Sequence, residues 1–393
     1  MFNLSAIQSA LRQFEIDAWL LYDFRGSNVL ARRILDLDNT GVSSRRFFYC
    51  IGADSEPVKV VHRIESEVLD HLPGNKQVYL KWQELEAALQ QAVGGRRCVA
   101  MEYSHRNANP YVSRVDAGTV ELVQSFGAKV VSSGDLVQQF EATWDESQWR
   151  LHLEAAKVTD AAFARAWSFI AERIRQQGSV RETTVQREIL QHFDENGLVT
   201  SHPPIVAVGA HSGNPHFEPT EENESDLLAG DFVLIDLWAK LDQPKAVYSD
   251  LTRVGFVGET VPPRYNEIFQ IVAAARDAAV ALVRERFRRN QALAGWEVDQ
   301  AARDVIEAAG YGQYFIHRTG HSIGQETHGN GANMDNLETQ DDRRVLPATC
   351  FSVEPGIYLP EFGIRSEVNV FVDLQGQVHV TGGERQTEVK ALL

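Results

Sequence analysis

Five potential metal ligands stand in a fixed order in the second half of this chain: Asp236, Asp250, His321, Glu354 and Glu367. Carboxylates that lie a few ångströms apart repel one another and take up protons unless a cation compensates their charge. Oxygen-rich ligation with a single imidazole nitrogen suits manganese, cobalt or zinc, and two bridging carboxylates hold a pair of ions. A fold that brings these five side chains together is therefore predicted to be a dinuclear metallohydrolase.

The residues around these ligands form four motifs. Asp236 ends the apolar run FVLID, and Asp250 lies in VYSDLTR, so both acids are predicted to leave β-rich segments. His321 lies in the glycine-containing segment HRTGHSIGQETHG. Glu354 and Glu367 both belong to VEPGIYLPEFGIRSEV. The order and local chemistry of the four motifs constrain the fold far more than five scattered residues would.

Each residue also has an ordinary structural explanation. An aspartate at the end of an apolar run is usually a turn or cap residue. Arg365 and Glu367 alternate along what is predicted to be one face of a single strand, and a solvated charged face has the same pattern. The joint occurrence of all four motifs, together with His321, favours the metal site.

The ordered motifs resemble those of the pita-bread metallopeptidases, the superfamily that contains methionine aminopeptidase, aminopeptidase P, prolidase and creatinase. The resemblance implies an α+β fold in which a C-terminal pita-bread (creatinase/aminopeptidase) domain follows a smaller α/β domain of the creatinase/prolidase type. We expect the N-terminal domain to occupy residues 1–140 and the catalytic domain to occupy residues 141–393.

Length and hydrophobic patterning also indicate two domains. A chain of 393 residues exceeds the size at which a single core usually stops growing. Before residue 140, the short apolar runs DAWLLY, RFFYCIG, VKVVH and RCVAME alternate with helical stretches, which is typical of an α/β module. This part has no cluster of His, Asp and Glu with ligand spacing, so we expect it to shape or cover the site.

Four helices are predicted after residue 140. Two of them begin at a capping-box pattern and end at a glycine: Thr143 and Glu146 with Gly178, and Thr183 and Gln186 with Gly197. The other two are expected over 265–290 and 298–309. Helices outside a curved, largely antiparallel sheet, with the acids projecting inward, would be the natural packing.

Composition excludes several classes of function. The 54 acidic and 38 basic residues give a formal net charge of −16, which disfavours nucleic acid and anionic membranes as partners. No apolar stretch approaches the ~18 residues of a membrane helix, and the N-terminus lacks a signal-peptide pattern. The three dispersed cysteines fit neither a disulfide framework nor a zinc site, and Cys350 is expected in the core rather than as a catalytic thiol. A cytoplasmic protein is expected.

For the metal site, the resemblance implies two divalent ions, with manganese favoured and cobalt or zinc as alternatives. Asp250 and Glu367 would bridge the two ions, Asp236 would bind one, and His321 and Glu354 would bind the other. Glu354 is also expected to be catalytic, because a carboxylate beside the attacking water can pass its proton to the leaving nitrogen.

Further residues are assigned to catalysis and substrate binding by resemblance alone. His328 matches the histidine that contacts the scissile amide and helps to stabilise its oxyanion. His216, in GAHSGNPHFEP, matches a substrate-contacting histidine of the catalytic apparatus. His317, Tyr358 and Arg365 match substrate-binding positions, and Arg365 would equally serve to neutralise the acid cluster.

The resemblance is strongest to the proline-specific branch, so the expected enzyme is an Xaa-Pro dipeptidase similar to prolidase. Two alternatives stay open: aminopeptidase P acting on longer Xaa-Pro peptides, and a catalytically inactive pita-bread module that binds a partner. The expected partner is a small peptide with proline at the second position, and a homodimer is left open. The segment LWAKLDQPKAVYS between the two aspartates is longer than usual in the family, and Val368 stands where the family often has Asp.

Overall fold

The computed structural model describes residues 2–37, 41 and 43–393. The chain divides into two compact units, Met1–Glu141 and Ala142–Leu393, and each has its own hydrophobic core. No helix in the described residues is both long enough and apolar enough to cross a bilayer.

The first unit alternates strands and helices. Its elements are α1 (Leu4–Gln13), β1 (Ala18–Asp23), α2 (Val29–Ile34), β2 (Phe47–Gly52), β3 (Val58–His62), β4 (Asn75–Tyr79), α3 (Trp82–Val93), β5 (Cys98–Met101), α4 (Ala117–Ser125), β6 (Lys129–Ser132) and α5 (Gly134–Glu141).

The strands of the first unit form one six-stranded sheet in the order β4-β3-β2-β1-β5-β6. β1 alternates its side chains between two cores, because Trp19 and Leu21 pack with α1, α2 and α5, while Leu20 packs with α3 and α4. The four apolar runs noted in the sequence are β1, β2, β3 and β5. The first unit is thus a three-layer α/β module.

The second unit combines antiparallel strands with four long helices. Its elements are α6 (Glu146–Gln177), β7 (Ser179–Arg181), α7 (Glu182–Glu195), β8 (Leu198–Val199), β9 (Ile205–Val208), β10 (Asp226–Leu228), β11 (Phe232–Leu241), β12 (Ser249–Phe256), α8 (Pro263–Arg288), α9 (Gly295–Ala308), β13 (Ser322–Ile323), β14 (Thr349–Val353), β15 (Gly356–Tyr358), β16 (Gly363–Arg365), β17 (Val368–Val372), β18 (Val378–Thr381) and β19 (Lys390–Ala391).

Two sheets of the second unit position the site. One has the order β19-β12-β11-β8, with β9 also paired to β11, and the other has the order β13-β14-β17-β18. Helices α6 and α7 cover the first sheet through one apolar cluster, and α8 and α9 pack in a second cluster that includes residues of both sheets. β12 of the first sheet contacts β17 of the second where the two sheets meet. At this point the Asp250 amide donates to Asn369 Oδ1 at 3.0 Å.

The predicted start of α6 is wrong. Asp145, not Thr143, is the N-cap: its carboxylate accepts from the Gln148 amide at 2.9 Å, and the Gln148 side chain accepts from the Asp145 amide at 3.1 Å. A second capping box, two residues further along the chain, therefore starts the helix, since Asp caps a helix at least as well as Thr. The predicted end is correct, because Gly178 adopts a left-handed φ of 81° directly after the helix.

The predicted start of α7 is also wrong. The helix begins at Glu182, so Thr183 is its second residue rather than its cap. The reason is tertiary, because β7 pairs with β10 up to Arg181 and the chain turns into the helix at once. The Thr183 hydroxyl donates to Glu224 instead.

Candidate metal centre

The hairpin of β11 and β12 carries the two aspartates. Asp236 lies opposite Thr252, and Trp238 lies opposite Asp250. Opposite residues of an antiparallel pair point to the same face, as do alternate residues of one strand. Asp236 and Asp250 therefore share a face, and both are buried. The expectation that Asp236 ends its strand is wrong, because β11 continues beyond Asp236 to Leu241.

His321 and Glu354 come from neighbouring strand ends. His321 directly precedes β13, and Glu354 directly follows β14, which pairs antiparallel with β13. His321 Nε2 lies 3.4 Å from Glu354 Oε1 and 3.4 Å from Asp250 Oδ2. Ser352 holds both residues, because its Oγ accepts from the His321 amide at 2.9 Å and donates to Glu354 Oε1 at 3.0 Å.

Glu367 enters the site where the chain passes from one sheet to another. It lies between β16 and β17, which belong to different sheets, so the prediction of one continuous strand through Arg365 and Glu367 is wrong. Both side chains nevertheless contact Thr252, whose Oγ1 accepts from Arg365 Nε at 2.9 Å and donates to Glu367 Oε2 at 2.8 Å.

The structure brings all five predicted ligands to one buried region. Ligand atoms of Asp250, His321 and Glu367 lie within 4.8 Å of one another. Glu354 adjoins this group through His321. Asp236 projects from the same face as Asp250, and its Oδ2 pairs with Arg365.

The donor set fits divalent cations. Among the described residues, two buried carboxylate oxygens of the cluster have no hydrogen-bond partner: Asp236 Oδ1 and Glu367 Oε1. Burial raises the pKa of Asp236 to about 6 and that of Asp250 to about 7, and it also raises the pKa values of Glu354 and Glu367. Carboxylates crowded in this way resist ionisation unless a cation compensates them. Divalent ions would supply both the charge and the partner that the two oxygens lack.

The raised carboxyl pKa values predict that the metal-free protein loses stability as the pH rises. A carboxyl group whose pKa is higher in the folded state stabilises the fold below its unfolded pKa, and this contribution is lost as the pH rises through the folded pKa. The pH window runs from 3.8 to about 6 for Asp236 and from 3.8 to about 7 for Asp250. We expect the Tm of the chelated protein to fall across this window.

Manganese should raise the Tm most at the upper end of the window, because ligation requires ionised carboxylates. Calorimetry at several pH values, with chelator or with manganese, measures both effects. A chelated protein whose Tm does not change across the window would contradict the prediction.

Arg365 connects the acid cluster to a polar part of the site. Its guanidinium pairs with Asp236 and donates to Thr252 Oγ1 at 2.9 Å, to Tyr358 Oη at 3.1 Å and to the Pro215 carbonyl at 3.3 Å. Its side chain is 3% exposed. Arg365 therefore neutralises part of the acid cluster and also orients Tyr358.

His317 continues this hydrogen-bond chain. Its Nδ1 lies 2.6 Å from the Arg318 carbonyl, and its Nε2 lies 2.7 Å from Tyr358 Oη. Because a carbonyl only accepts, Nδ1 carries the proton. Burial, with Arg365 nearby, lowers the pKa of His317 to about 3, so the ring is neutral and Nε2 accepts from the Tyr358 hydroxyl. The Tyr358 hydroxyl is thus fixed from both sides.

His328 and His216 lie closer to solvent. The His328 ring packs edge-on against that of His321, with centroids 4.3 Å apart. The neighbouring His321 ring is the main cause that lowers the pKa of His328 to about 3, so His328 is a neutral ring with one N–H to donate. In the part of the chain that the structure describes, the His216 ring makes no hydrogen bond, yet it lowers the pKa values of both His317 and His328. His216 is therefore an exposed neighbour of the site.

The residues that hold the ligands in place are not among those predicted from the sequence. Thr252 contacts Glu367, Ser352 contacts Glu354, and the Asn369 side chain accepts from the Asp250 amide. Thr252 could have been found, because it lies two residues from Asp250 on β12 and therefore on the same face. Ser352 could have been found in the same way, because it lies in β14 two residues before Glu354, which directly follows that strand. Asn369 is identified only by the contact between β12 and β17, which belong to different sheets and are distant in sequence.

The sequence profile of metallopeptidase family M24 matches residues 150–373, more than half of the chain. The chain therefore belongs to this family, and membership implies divalent metal ions as cofactors. All five candidate ligands lie inside the matched region.

Several proteins are similar to this chain over part of their length. The Bacillus subtilis (strain 168) protein YkvY is 32% identical over 257 residues, 65% of this chain and 64% of its own. The Xaa-Pro dipeptidase of Lactobacillus helveticus is 32% identical over 196 residues, 48% of this chain and 49% of its own. The Xaa-Pro dipeptidase of Lactobacillus delbrueckii subsp. lactis is 31% identical over 215 residues, 54% and 53% of the two chains. The matches thus span from about half to just under two thirds of these relatives.

Solved structures match the fold along the whole chain. The dipeptidase PepE from Mycobacterium ulcerans gives a TM-score of 0.66 at 22% identity and covers 99% of this chain and 96% of its own. The Xaa-Pro dipeptidase from Bacillus anthracis gives a TM-score of 0.59 at 24% identity and covers 99% of both chains. Together with the family match, these similarities confirm the predicted α+β fold, with a pita-bread domain preceded by an α/β domain.

Proposed function

We propose that this chain is a dinuclear Xaa-Pro dipeptidase that hydrolyses the peptide bond before proline, with manganese as its metal. The observation that carries the proposal is that four acids and one histidine lie together, and that two of the acids each have a buried oxygen without a hydrogen-bond partner among the described residues. The preference for proline is supported by similarity to two proteins that are named Xaa-Pro dipeptidase.

In this proposal, the five residues would hold two divalent ions: Asp250 and Glu367 would serve both, Asp236 would serve one, and His321 and Glu354 would serve the other. When bound, such ions polarise a substrate carbonyl and make water a stronger nucleophile at neutral pH. The chain orients its ligand atoms in advance, because hydroxyl groups of neighbouring residues hold Glu367 Oε2 and Glu354 Oε1 by hydrogen bonds. Such outer contacts fix the direction of a ligand and raise affinity.

Glu354 is the proposed proton carrier. Its Oε1 accepts from Ser352, and its Oε2 lies 3.8 Å from Arg365 Nε, which leaves Oε2 able to take the proton of the attacking water. Burial raises the pKa of Glu354, and a raised pKa suits a carboxylate that accepts a proton and then releases it near neutral pH. Glu354 then delivers this proton to the proline nitrogen, which leaves as a secondary amine.

The neutral histidines and Tyr358 would handle the substrate. His328 donates its N–H to the oxyanion that forms at the scissile carbonyl. His216, His317, Tyr358 and Arg365 line the side that receives the proline ring. Proline has no amide hydrogen, so a site that holds the free amine and the carbonyl oxygen does not lose a hydrogen bond that other peptidases use.

A peptide panel tests the proposal. We expect the manganese-loaded protein to cleave Ala-Pro with a higher kcat/KM than Ala-Pro-Ala, and to cleave both much faster than Ala-Ala. Chelation should abolish hydrolysis, and added manganese should restore it. Release of the N-terminal alanine, measured as initial rates for the three peptides, gives the comparison.

The other outcomes of this panel have definite meanings. A preference for Ala-Pro-Ala would indicate aminopeptidase P, and equal cleavage of Ala-Ala would remove proline specificity. A protein that binds two ions but cleaves none of the peptides would support the inactive binding module instead.

A further inference from the structure

A buried arginine of α8 lies behind the segment that carries Arg365 and Glu367. Arg276 is 2% exposed, and its Nη1 donates to Ser366 Oγ at 2.6 Å and to the Gln386 carbonyl at 2.9 Å. Its Nε donates to Asp277 Oδ1 at 3.0 Å, so the charge is paired. A buried guanidinium is costly unless its N–H groups are satisfied, and these contacts therefore fix its position tightly.

Ser366 points away from the site that its two neighbours enter. It lies where the chain passes from β16 to β17, between Arg365 and Glu367, which both contact Thr252. Ser366 is fully buried, and its hydroxyl contacts Arg276 on the opposite side. This hydrogen bond holds the backbone at the point where both site residues leave it.

The second contact of Arg276 reaches the strand that carries Asp250. The Gln386 side chain accepts from the Val254 amide at 3.0 Å and donates to the Val254 carbonyl at 2.6 Å. Val254 belongs to β12, as does Asp250. Arg276 therefore links the segment of Glu367, through Ser366, to the strand of Asp250, through Gln386.

We infer that Arg276 is a positioning residue that sets the separation of Asp250 and Glu367 from behind the site, although it touches neither. The inference rests on the proposed function in taking these two acids as the bridging ligands. Metal sites require their ligands to be held close to the productive geometry by outer contacts. Loss of the Arg276 contacts should therefore lower the affinity for the second ion to bind more than the affinity for the first.

Arg276→Lys and Ser366→Ala, in the full-length chain, test the inference. Each should weaken binding of the second manganese ion by about tenfold or more, the lower range for loss of an outer contact. Because both act on the same hydrogen bond, the double variant should lose less affinity than the sum of the two single losses. Calorimetric titration of the metal-free protein gives the affinities. Electron paramagnetic resonance should show isolated manganese ions replacing an exchange-coupled pair at the same metal concentration.

The matched control is Arg264→Lys, at an exposed arginine of the same helix that pairs with Glu361 at 3.8 Å. It should leave both ions and the coupled signal unchanged. If Arg276→Lys fails to fold, Ser366→Ala decides alone, since it removes only one hydroxyl. Unchanged affinity and an unchanged coupled signal in Ser366→Ala would overturn the inference and leave the proposed function intact. A wild-type protein that never shows a coupled pair would overturn both.

Discussion

Replacing Glu367 by glutamine should lower kcat/KM by about three orders of magnitude or more and remove one of the two proposed ions. Glutamine keeps the size of the side chain, but its amide nitrogen cannot act as a bridging oxygen. Glu367 Oε1 is one of the two buried carboxylate oxygens of the cluster that lack a hydrogen-bond partner, and Oε2 accepts only from Thr252 among the described residues. Metal-assisted charge stabilisation is worth several kcal/mol, and each ~1.4 kcal/mol is a factor of ten in rate.

Glu361→Gln is the matched control for this variant. Glu361 lies shortly before β16, and its side chain is 62% exposed, so removing its charge should change neither metal content nor turnover. Elemental analysis of the purified variants, circular dichroism and kcat/KM for Ala-Pro separate loss of metal from loss of fold. Glu367→Gln protein that retains two ions and full activity would refute the assignment of Glu367 as a bridge.

The positions of strands and helices follow largely from local sequence. The apolar run around Trp19 and Leu21 is a strand buried on both faces, as a short continuous apolar run predicts, and α8 and α9 lie within three residues of the ranges expected from periodicity. Cys350 is buried in an apolar cluster, and burial raises the pKa of its thiol, as expected for a core residue. Helix starts were predicted less well, because α7 begins where strand pairing ends rather than at its best cap.

In the candidate site, the ligands could also be predicted from local sequence, whereas the residues that support them could not. The four acids and the imidazole could be named because each lies in a short motif whose chemistry is local. What holds them could not be named, because it depends on contacts between distant segments. Asn369 accepts from the Asp250 amide across 119 residues, and Arg276 reaches Ser366 across 90 residues. The break between β16 and β17 was missed for the same reason, since it exists only because the two strands join different sheets.

His328→Ala should leave the metal content unchanged and lower turnover by about two to three orders of magnitude, the usual loss for one oxyanion donor. The His328 ring packs edge-on against the His321 ring, and its lowered pKa keeps it neutral, so at neutral pH it offers an N–H without competing for protons. The loss should appear in kcat rather than in KM, because the oxyanion exists only in the transition state. Steady-state kinetics with Ala-Pro, combined with elemental analysis, provides the measurement.

The exposed His202 supplies the control, since its ring makes no hydrogen bond or ring contact among the described residues and His202→Ala should behave like the wild type. A His328→Ala protein that loses its metal would show that the roles of His321 and His328 have been exchanged. The geometry argues against that outcome, because His321 Nε2 lies 3.4 Å from both Asp250 and Glu354, whereas among the described residues His328 contacts the cluster through the His321 ring. A ligand must face the carboxylates directly, and an oxyanion donor must face the substrate, so the position of His328 on the solvent side fits the second role.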